Sequence, residues 1–350
     1  MPIRSKTFNE SYYEDIKLFR TIWIKFWAVI FVAALVLLPY IGDPYFVYLV
    51  NLSCLATVAA VGLNILTGYT GLISLGHAAF VAIGAYTTAN LANHLGTPFW
   101  INLPAAGLVA AVAGAIVGIP CLRLKGLYLA MITMSFGVLV EYVVITWEGL
   151  TGGVRGMSVP AISILGYKLS SDEQLYFFLI VITVLLLFAA NNITRTRVGR
   201  AFVAIRDRDV AAEAIGVNLT YYKVLSFAIS SFYAGVAGGL YAYTIRHIHP
   251  DHFTLLLSIQ YITMIIVGGM GSIVGSIFGA VFIVVVPEFI KLLAQASARV
   301  FPVLEGRYDE EWNIAAFGLL IILFLIFEPG GLYSIWNRIK TGFKNWPFTY

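Results

Sequence analysis

Apolar residues in this chain come in long runs, without the two-residue alternation of half-buried strands, and each run ends at a cluster of glycine, proline or charge. A helix that crosses a bilayer needs roughly 20 mainly apolar residues. On that measure the breaks divide the chain into ten candidate helices, at 22–40, 45–66, 72–93, 102–119, 126–147, 175–191, 223–245, 253–267, 272–287 and 313–327. The eighth and ninth are short. Gly268, Gly269, Gly271 and Ser272 between them read as a tight turn, a re-entrant pair or the break in one long helix.

Composition makes the bilayer the relevant solvent. Of 350 residues 60% are hydrophobic and 11% charged, and the mean hydropathy is +0.86, outside the range of a soluble chain of this size. The first 21 residues carry Arg4, Lys6, Glu10, Glu14, Asp15, Lys17 and Arg20, and no small-residue cleavage pattern follows the next apolar run. That run is therefore expected to stay as the first span. Cys54 and Cys121 lack the spacing of a metal site or a disulfide framework and read as reduced packing residues.

Charge orients the spans. With a cytoplasmic N-terminus and ten spans, 16 of the 22 basic residues fall on the inside, and ten of the 18 acids fall outside, Asp309, Glu310 and Glu311 among them. This obeys the positive-inside rule and predicts that both termini are cytoplasmic. Merging the eighth and ninth spans would put either the basic tail or the basic 192–222 loop outside, so they are kept separate. A net charge of +4 is then a matter of topology and does not suggest nucleic acid. Glycines four apart, at Gly114 and Gly118, Gly235 and Gly239, and Gly271, Gly275 and Gly279, predict close helix packing.

Little in the spans can do chemistry. No G-x-x-x-x-G-K-[ST] phosphate loop occurs, so energy for transport must come from a partner or an ion gradient. No catalytic, cofactor-binding or metal site is expected in this chain. Away from the span ends, where Lys25 and Lys223 fall, His77 and Glu141 are the ionisable groups that qualify as buried in the spans, where desolvated charge is usually functional. His77 is read first as a hydrogen-bonded packing residue and second as part of a pathway. Glu141 either lines a path or reaches the interface. His247, His249 and His252 with Asp251 read as an exposed polar loop in preference to a metal site.

The basic segment Thr194 to Lys223 carries the most information. Thr196 can cap a short helix whose Val198, Phe202 and Ile205 share a face, while Arg200, Arg206 and Arg208 project elsewhere. Asp209 can cap a second helix, Val210 to Ile215, which Gly216 stops. On these residues alone, a helical knob docked on a protein and an amphipathic loop held by anionic lipid both stand.

Val210-Ala211-Ala212-Glu213-Ala214-Ile215-Gly216 resembles the Glu-Ala-Ala, three residues, Gly signature of ABC-importer permeases, with Val210 in place of the acid. Alongside it stand Gly68 to Phe80 (GYTGLISLGHAAF), Leu122 to Ala130 (LRLKGLYLA), Thr151-Gly152-Gly153 and Gly268-Gly269-Met270-Gly271-Ser272. In combination the chain is similar to the LivM-type permeases of branched-chain amino acid ABC importers, from about Leu52 to Gly331.

The resemblance implies an all-α membrane protein with about ten transmembrane helices, a type II-like importer bundle. It divides the chain into a cytoplasmic segment 1–21, a permease domain 22–332 with a coupling loop 194–222, and a basic cytoplasmic tail 333–350. It implies a LivH-like second permease, two LivG/LivF-like ATPases that carry ATP and Mg, and a periplasmic substrate-binding protein, in the bacterial inner membrane. Arg197, Gly199, Arg200, Phe202, Arg206, Asp209, Ala211, Ala212, Glu213 and Gly216 would couple to the ATPases, with Ala212 facing their groove. A zwitterion crossing the midplane needs small or polar surroundings, which makes Ser74, Gly76, His77, Ser135, Glu141, Thr151, Gly152 and Gly153 the lining candidates. Related permeases also handle urea, short amides and aromatic acids, and an ion-coupled carrier or channel is the competing class.

Overall fold

The computed structural model describes residues 35–300 and 318–345, apart from 41, 123, 125, 165, 166, 169, 170, 320, 323, 325 and 329. The expected first span, at 22–40, is described only at 35–40, and the acidic run 309–311 lies outside the described residues. Residues up to Val47 belong to a separate unit, described at the helical positions 35–40 and the start of α1.

Among the described residues the longer helices are, in order, α1 Pro44–Asn64, which continues as a π-turn Ile65–Tyr69, α2 His77–His94, α3 Phe99–Cys121, α4 Leu127–Thr146, α5 Asp172–Arg195, α6 Arg197–Ala214, α7 Leu219–Ile245, α8 Leu255–Gly268, α9 Ile273–Val300 and α10 Gly331–Asn345. Further helical positions lie between 318 and 327. Seven segments among the described residues are long and apolar enough to cross a membrane. Two starts are set by side chains of the kind helix caps favour: Ser171 accepts the Gln174 amide ahead of α5, and Asn218 accepts the Tyr221 amide ahead of α7.

The centre is α7, packed against α2 and α3 and touching the end of α1. Glycine makes this possible. A Cβ at Gly84 would run into the backbone of Gly235, one at Gly235 would meet Ala110 and Ala106, and one at Gly62 would overlap Tyr233. Helices thus meet backbone to backbone, where dispersion has to hold the bundle because lipid offers no hydrophobic drive between spans. The pairs Gly114–Gly118 and Gly235–Gly239 are packing residues, as their spacing predicts. Gly271 is not: with φ +78° it belongs to a turn, and only Gly275 and Gly279 line the helix contact, against Gly268 and Met264.

Side-chain bonds sort the connections onto two ends. At one end meet the segment after α1, the start of α4, all of α6, the α8–α9 turn and the start of α10: Gly271 bonds Asn64, and Arg206 bonds Gly68. At the other, Asn93 donates to the Ser158 carbonyl, Val159 donates to the Arg246 carbonyl, and β1 (Met157–Ser158) pairs with β4 (His247–Ile248). A second short ribbon joins β2 (Ser163–Ile164) to β3 (Tyr167–Lys168). Of the helices named above, α2 to α8 except α6 run from one end to the other, and α8 and α9 form an antiparallel hairpin about Gly269 to Ser272.

Several expected boundaries move. The third span starts at His77, not at 72, because Thr67 Oγ1 donates to the Leu72 carbonyl, the Leu72 amide returns to Leu66, and Gly71 takes φ +76°. The sixth runs 172–195 in place of 175–191, its polar ends being capped helix. The ninth does not stop at 287: α9 carries Pro287 internally and continues to Val300. The basic segment expected at 333–350 begins inside a helix, α10, from Gly331 to Asn345.

Candidate functional site

The sequence motifs converge at the end of the bundle that holds α6. Asn64, the last residue of α1, is 1% exposed and uses both ends of its amide on the α8–α9 turn. Its Nδ2 donates to the Ser272 carbonyl at 2.8 Å and to Ser276 Oγ at 2.7 Å, and its Oδ1 accepts the Gly271 amide at 2.9 Å. Gly68 lies alongside, where a Cβ would collide with the Asn64 amide and with the Gly271 nitrogen. The loop after α1 and the glycine turn before α9, more than 200 residues apart in sequence, are one structural joint.

Helix α6 is tied to that joint by Arg206. Its Nη1 donates to the Gly68 carbonyl at 3.0 Å, while Nε and Nη2 both reach Asp207 Oδ1 at 3.2 Å. Positive φ at Gly71 (+76°) and Gly271 (+78°) lets backbone approach the arginine from both sides: a Cβ at either glycine would fall 3.0 Å from the Arg206 side chain. A cleft of about 420 Å³ opens beside it, lined by Thr70, Gly126, Arg206, Arg208, Asp209 and Lys223 among others.

The expected helix, break and helix of the 194–222 loop are present. Arg208 leaves helical geometry at φ −159° and ψ 105°, and Asp209 follows, accepting the Val210 amide at 3.0 Å and pairing with the buried Lys223 of α7 at 3.8 Å. Gly216 takes φ +90°. The Val217 amide donates to the Ala212 carbonyl and the Gly216 amide to Glu213, a paired C-terminal lock that needs a left-handed residue at Gly216. Phe202 and Ile205 are buried, as their shared face predicts.

Two details differ from expectation. Thr196 stands at the N-cap position of α6, but its hydroxyl donates back to Ile193 of α5 at 2.7 Å and caps nothing ahead. Ala212 points into the protein, 2% exposed, because the short helix lies flat with its small residue against the bundle. The outward apolar side chains are Val210, 73% exposed, and Ile215, 79% exposed. Val210 is the position where the sequence departs from the signature. Arg197, Arg200, Ala211 and Glu213 are also exposed, and Gly199 is buried.

The lining candidates do not form one cluster. Ser74, Gly76 and His77 sit together between the joint and α2. The Ser74 hydroxyl is buried without a hydrogen-bond partner among the described residues, and Gly76 is pressed against Thr133 of α4, which also accepts the Leu75 amide. His77, 1% exposed, bonds the Ala59 carbonyl at 2.9 Å and meets Tyr261 edge-on at 5.6 Å, which is the packing role. Glu141 is half-buried and lines small recesses with Gly137 and Phe253, one of them reaching Leu75 and Ser258. Ser135 is exposed on α4, its hydroxyl donating to Met131. Thr151 is at the far end, where its hydroxyl bonds Val144 and Trp147 and accepts the Gly153 amide. Gly152 and Gly153 turn the chain there with φ +71° and +58°.

Sequence reasoning missed Asn64, Ser258 and Ser276, and read Ser272 only as part of the turn. A polar amide at the end of an otherwise apolar run was the available signal at Asn64.

The fold and this joint define a polytopic helical membrane protein whose basic end carries a docked helix, break and helix segment. The chain belongs to the branched-chain amino acid transport system permease component family, whose model matches residues 45–325. It is 32% identical over 344 residues to the high-affinity branched-chain amino acid transport system permease protein LivM of Escherichia coli K12, covering 90% of this chain and 77% of the relative. LivM of Salmonella typhimurium is also 32% identical, over 87% of this chain and 74% of the relative. The autoinducer 2 import system permease protein LsrC of an Enterobacter strain is 25% identical over 69% of this chain and 68% of the relative. No solved structure matches.

Proposed function

We propose that this chain is a membrane-spanning permease subunit of an ATP-driven importer of branched-chain amino acids in a bacterial inner membrane. It works with a second, LivH-like permease, two ATPases that bind ATP and Mg, and a periplasmic binding protein. Both termini and the 192–222 loop face the ATPases.

The observation that carries this reading is the Arg206 contact. A segment with the importer signature is bonded directly to the joint between α1 and the α8–α9 hairpin, so a force applied to Val210 and Ile215 from outside the membrane has a covalent and hydrogen-bonded route to both. ATPase closure would move α6, and the joint would pass that displacement to the helices that open and close the path. This chain performs no chemistry on its cargo. It supplies a small, weakly charged wall, with the Ser74 hydroxyl near the joint and Glu141 farther along α4 as the polar groups that packing leaves least engaged.

Support for the cargo class comes from family membership and from the two LivM relatives, with a lining poor in charge. LsrC keeps a different cargo within reach of the same fold. The test is reconstitution with the partner subunits and binding protein in vesicles loaded with ATP. Leucine or isoleucine should enter faster than urea or arginine. Preferred uptake of urea would remove the cargo assignment and keep the mechanism, whereas Glu141-dependent uptake without ATPase subunits would make the protein an ion-coupled carrier.

A further inference from the structure

The sequence after Gly330 changes character. Leu332, Ile335, Trp336 and Ile339 fall within an arc of about 100° on α10 at 100° per residue, and Ser334, Asn337, Arg338, Lys340 and Thr341 lie outside it. No acid follows Glu328, while Arg338, Lys340 and Lys344 do.

The structure fixes where this helix begins. Gly331, at φ +72°, lies so close to the α8–α9 turn that a Cβ would fall 2.7 Å from the Gly269 nitrogen. Tyr333 covers Gly269 from the next position. Because α8 ends and α9 begins at that turn, α10 starts where membrane-crossing helices terminate. Trp336 then meets Phe278, five residues into α9, at a ring separation of 5.9 Å, yet it stays 48% exposed and Ile339 stays 47% exposed.

Two features select the occupant of that exposed face. Ile322, Ile326 and Phe327, on the apolar stretch that leads into α10, are each more than half exposed, so the exposed face of α10 follows in sequence on side chains of the same apolar character. The flanking charge is positive, and Arg338, paired with Glu328 at 3.2 Å, still keeps 75% of its side chain exposed. An apolar stripe with an indole at its centre and basic residues on its flank is the pattern of a helix lying in the bilayer interface.

We propose that α10 is an in-plane membrane anchor, its Trp336 and Ile339 face set among the acyl chains and its Arg338 and Lys340 side taking anionic phospholipid headgroups, holding the α8–α9 turn at the membrane surface. Anionic headgroups draw basic side chains toward the interface over about a Debye length.

The test uses the full chain, assembled with its partner permease in nanodiscs of phosphatidylcholine with or without a minority of phosphatidylglycerol, and with Cys54→Ala and Cys121→Ala throughout. Spin labels go on Ile339→Cys and Thr341→Cys, with Val281→Cys on α9 as the lipid-exposed reference. The label at 339 should be relaxed by oxygen more than by a water-soluble nickel chelate, as at 281, and the label at 341 should show the reverse. Phosphatidylglycerol should lower nickel access at 339, and R338Q/K340Q should abolish that lipid effect while leaving position 281 unchanged. Equal nickel access at 339 and 341 would overturn the proposal. So would protection at 339 that appears only when ATPase subunits are added, which would make the face a protein dock. Protection indifferent to phosphatidylglycerol would overturn the headgroup assignment.

Discussion

The Arg206 guanidinium donates to the Gly68 carbonyl across 3.0 Å and 138 positions of sequence, and it is the direct side-chain bond between α6 and the joint at the end of α1. A charge-assisted bond of this kind contributes about 1.5–3 kcal/mol. Arginine suits the place because its planar fork bonds Gly68 and Asp207 at once, which the point charge of lysine cannot do.

Replacing Arg206 should therefore separate movement of α6 from movement of the joint. R206Q is expected to lower substrate-stimulated ATP hydrolysis and transport by about tenfold or more, the factor that corresponds to about 1.4 kcal/mol, and R206K to restore only part of it. Assembly with the partner subunits should be unchanged in both. Co-purification alongside hydrolysis measurements checks this, and full transport by R206Q would show that the bond carries no coupling.

Asn64 offers a test of the joint's stability. With leucine there, the Ser272 carbonyl keeps the Ser276 amide at 3.0 Å, and Ser276 Oγ keeps its bond to that carbonyl at 3.3 Å. The Gly271 amide loses the acceptor it has in Asn64. One buried donor left unpaired costs about 1–3 kcal/mol, so N64L should lower the unfolding temperature in detergent. Asn64→Asp should lower it at least as much at neutral pH: it keeps an acceptor for the Gly271 amide, but it buries an unpaired carboxylate against the Ser272 carbonyl that Asn64 Nδ2 reaches at 2.8 Å. An unchanged melting curve for N64L would remove the joint as a stabilising element.

Much of this architecture was legible in the sequence because bilayer physics writes it in long, simple signals. Apolar length located the helices, and the glycine pairs at Gly114 and Gly235 identified the faces that pack. Asp209 and Gly216 marked the break and the stop of the basic segment by cap chemistry alone. What was not legible depended on partners that apolar length and cap preference do not name. Asn64 reaches Ser272 across more than 200 residues, and the packing that turns Ala212 inward and Val210 outward is tertiary. Other misses are local but compete with the expected pattern: Thr196 bonds backward to Ile193, and bonds to Leu66 and Thr67 hold Leu72 in a loop and move the start of α2 from 72 to 77.

The proposed orientation rests on the 16 to 6 division of basic residues expected for ten spans and on the grouping of α6 with the start of α10 at one end. Single cysteines at Ser5, Asn218 and Thr341, placed in a chain lacking Cys54 and Cys121, should resist an impermeant thiol reagent in intact cells and react after permeabilisation. Asn218 and Thr341 are exposed, so protection there has to come from the membrane's sidedness. Labelling of either in intact cells would invert the topology. Ser5 lies outside the described residues and tests the N-terminus by itself.

The last prediction separates docking on a protein from attachment to lipid for the segment Arg197 to Gly216. A docked knob depends on the shape of its exposed apolar tips and on the turn that presents them, whereas a lipid-held loop depends on summed positive charge. Val210 and Ile215 are those tips, and Ala212, being buried, is not a probe of the partner surface: A212W would disturb the bundle itself. Gly216 is the cleaner handle, because a Cβ there meets nothing within 4 Å, so G216V brings only the backbone strain of a β-branched residue at φ +90°, about 1 kcal/mol or more. Both G216V and V210D/I215D should insert and pair with the second permease, yet lose ATPase attachment or substrate-stimulated hydrolysis. R200Q/R208Q, which removes two exposed charges and leaves Arg206 and the tips in place, should retain most of both. If R200Q/R208Q abolishes transport while V210D/I215D preserves it, the segment is held by lipid charge and the coupling role belongs elsewhere in the chain.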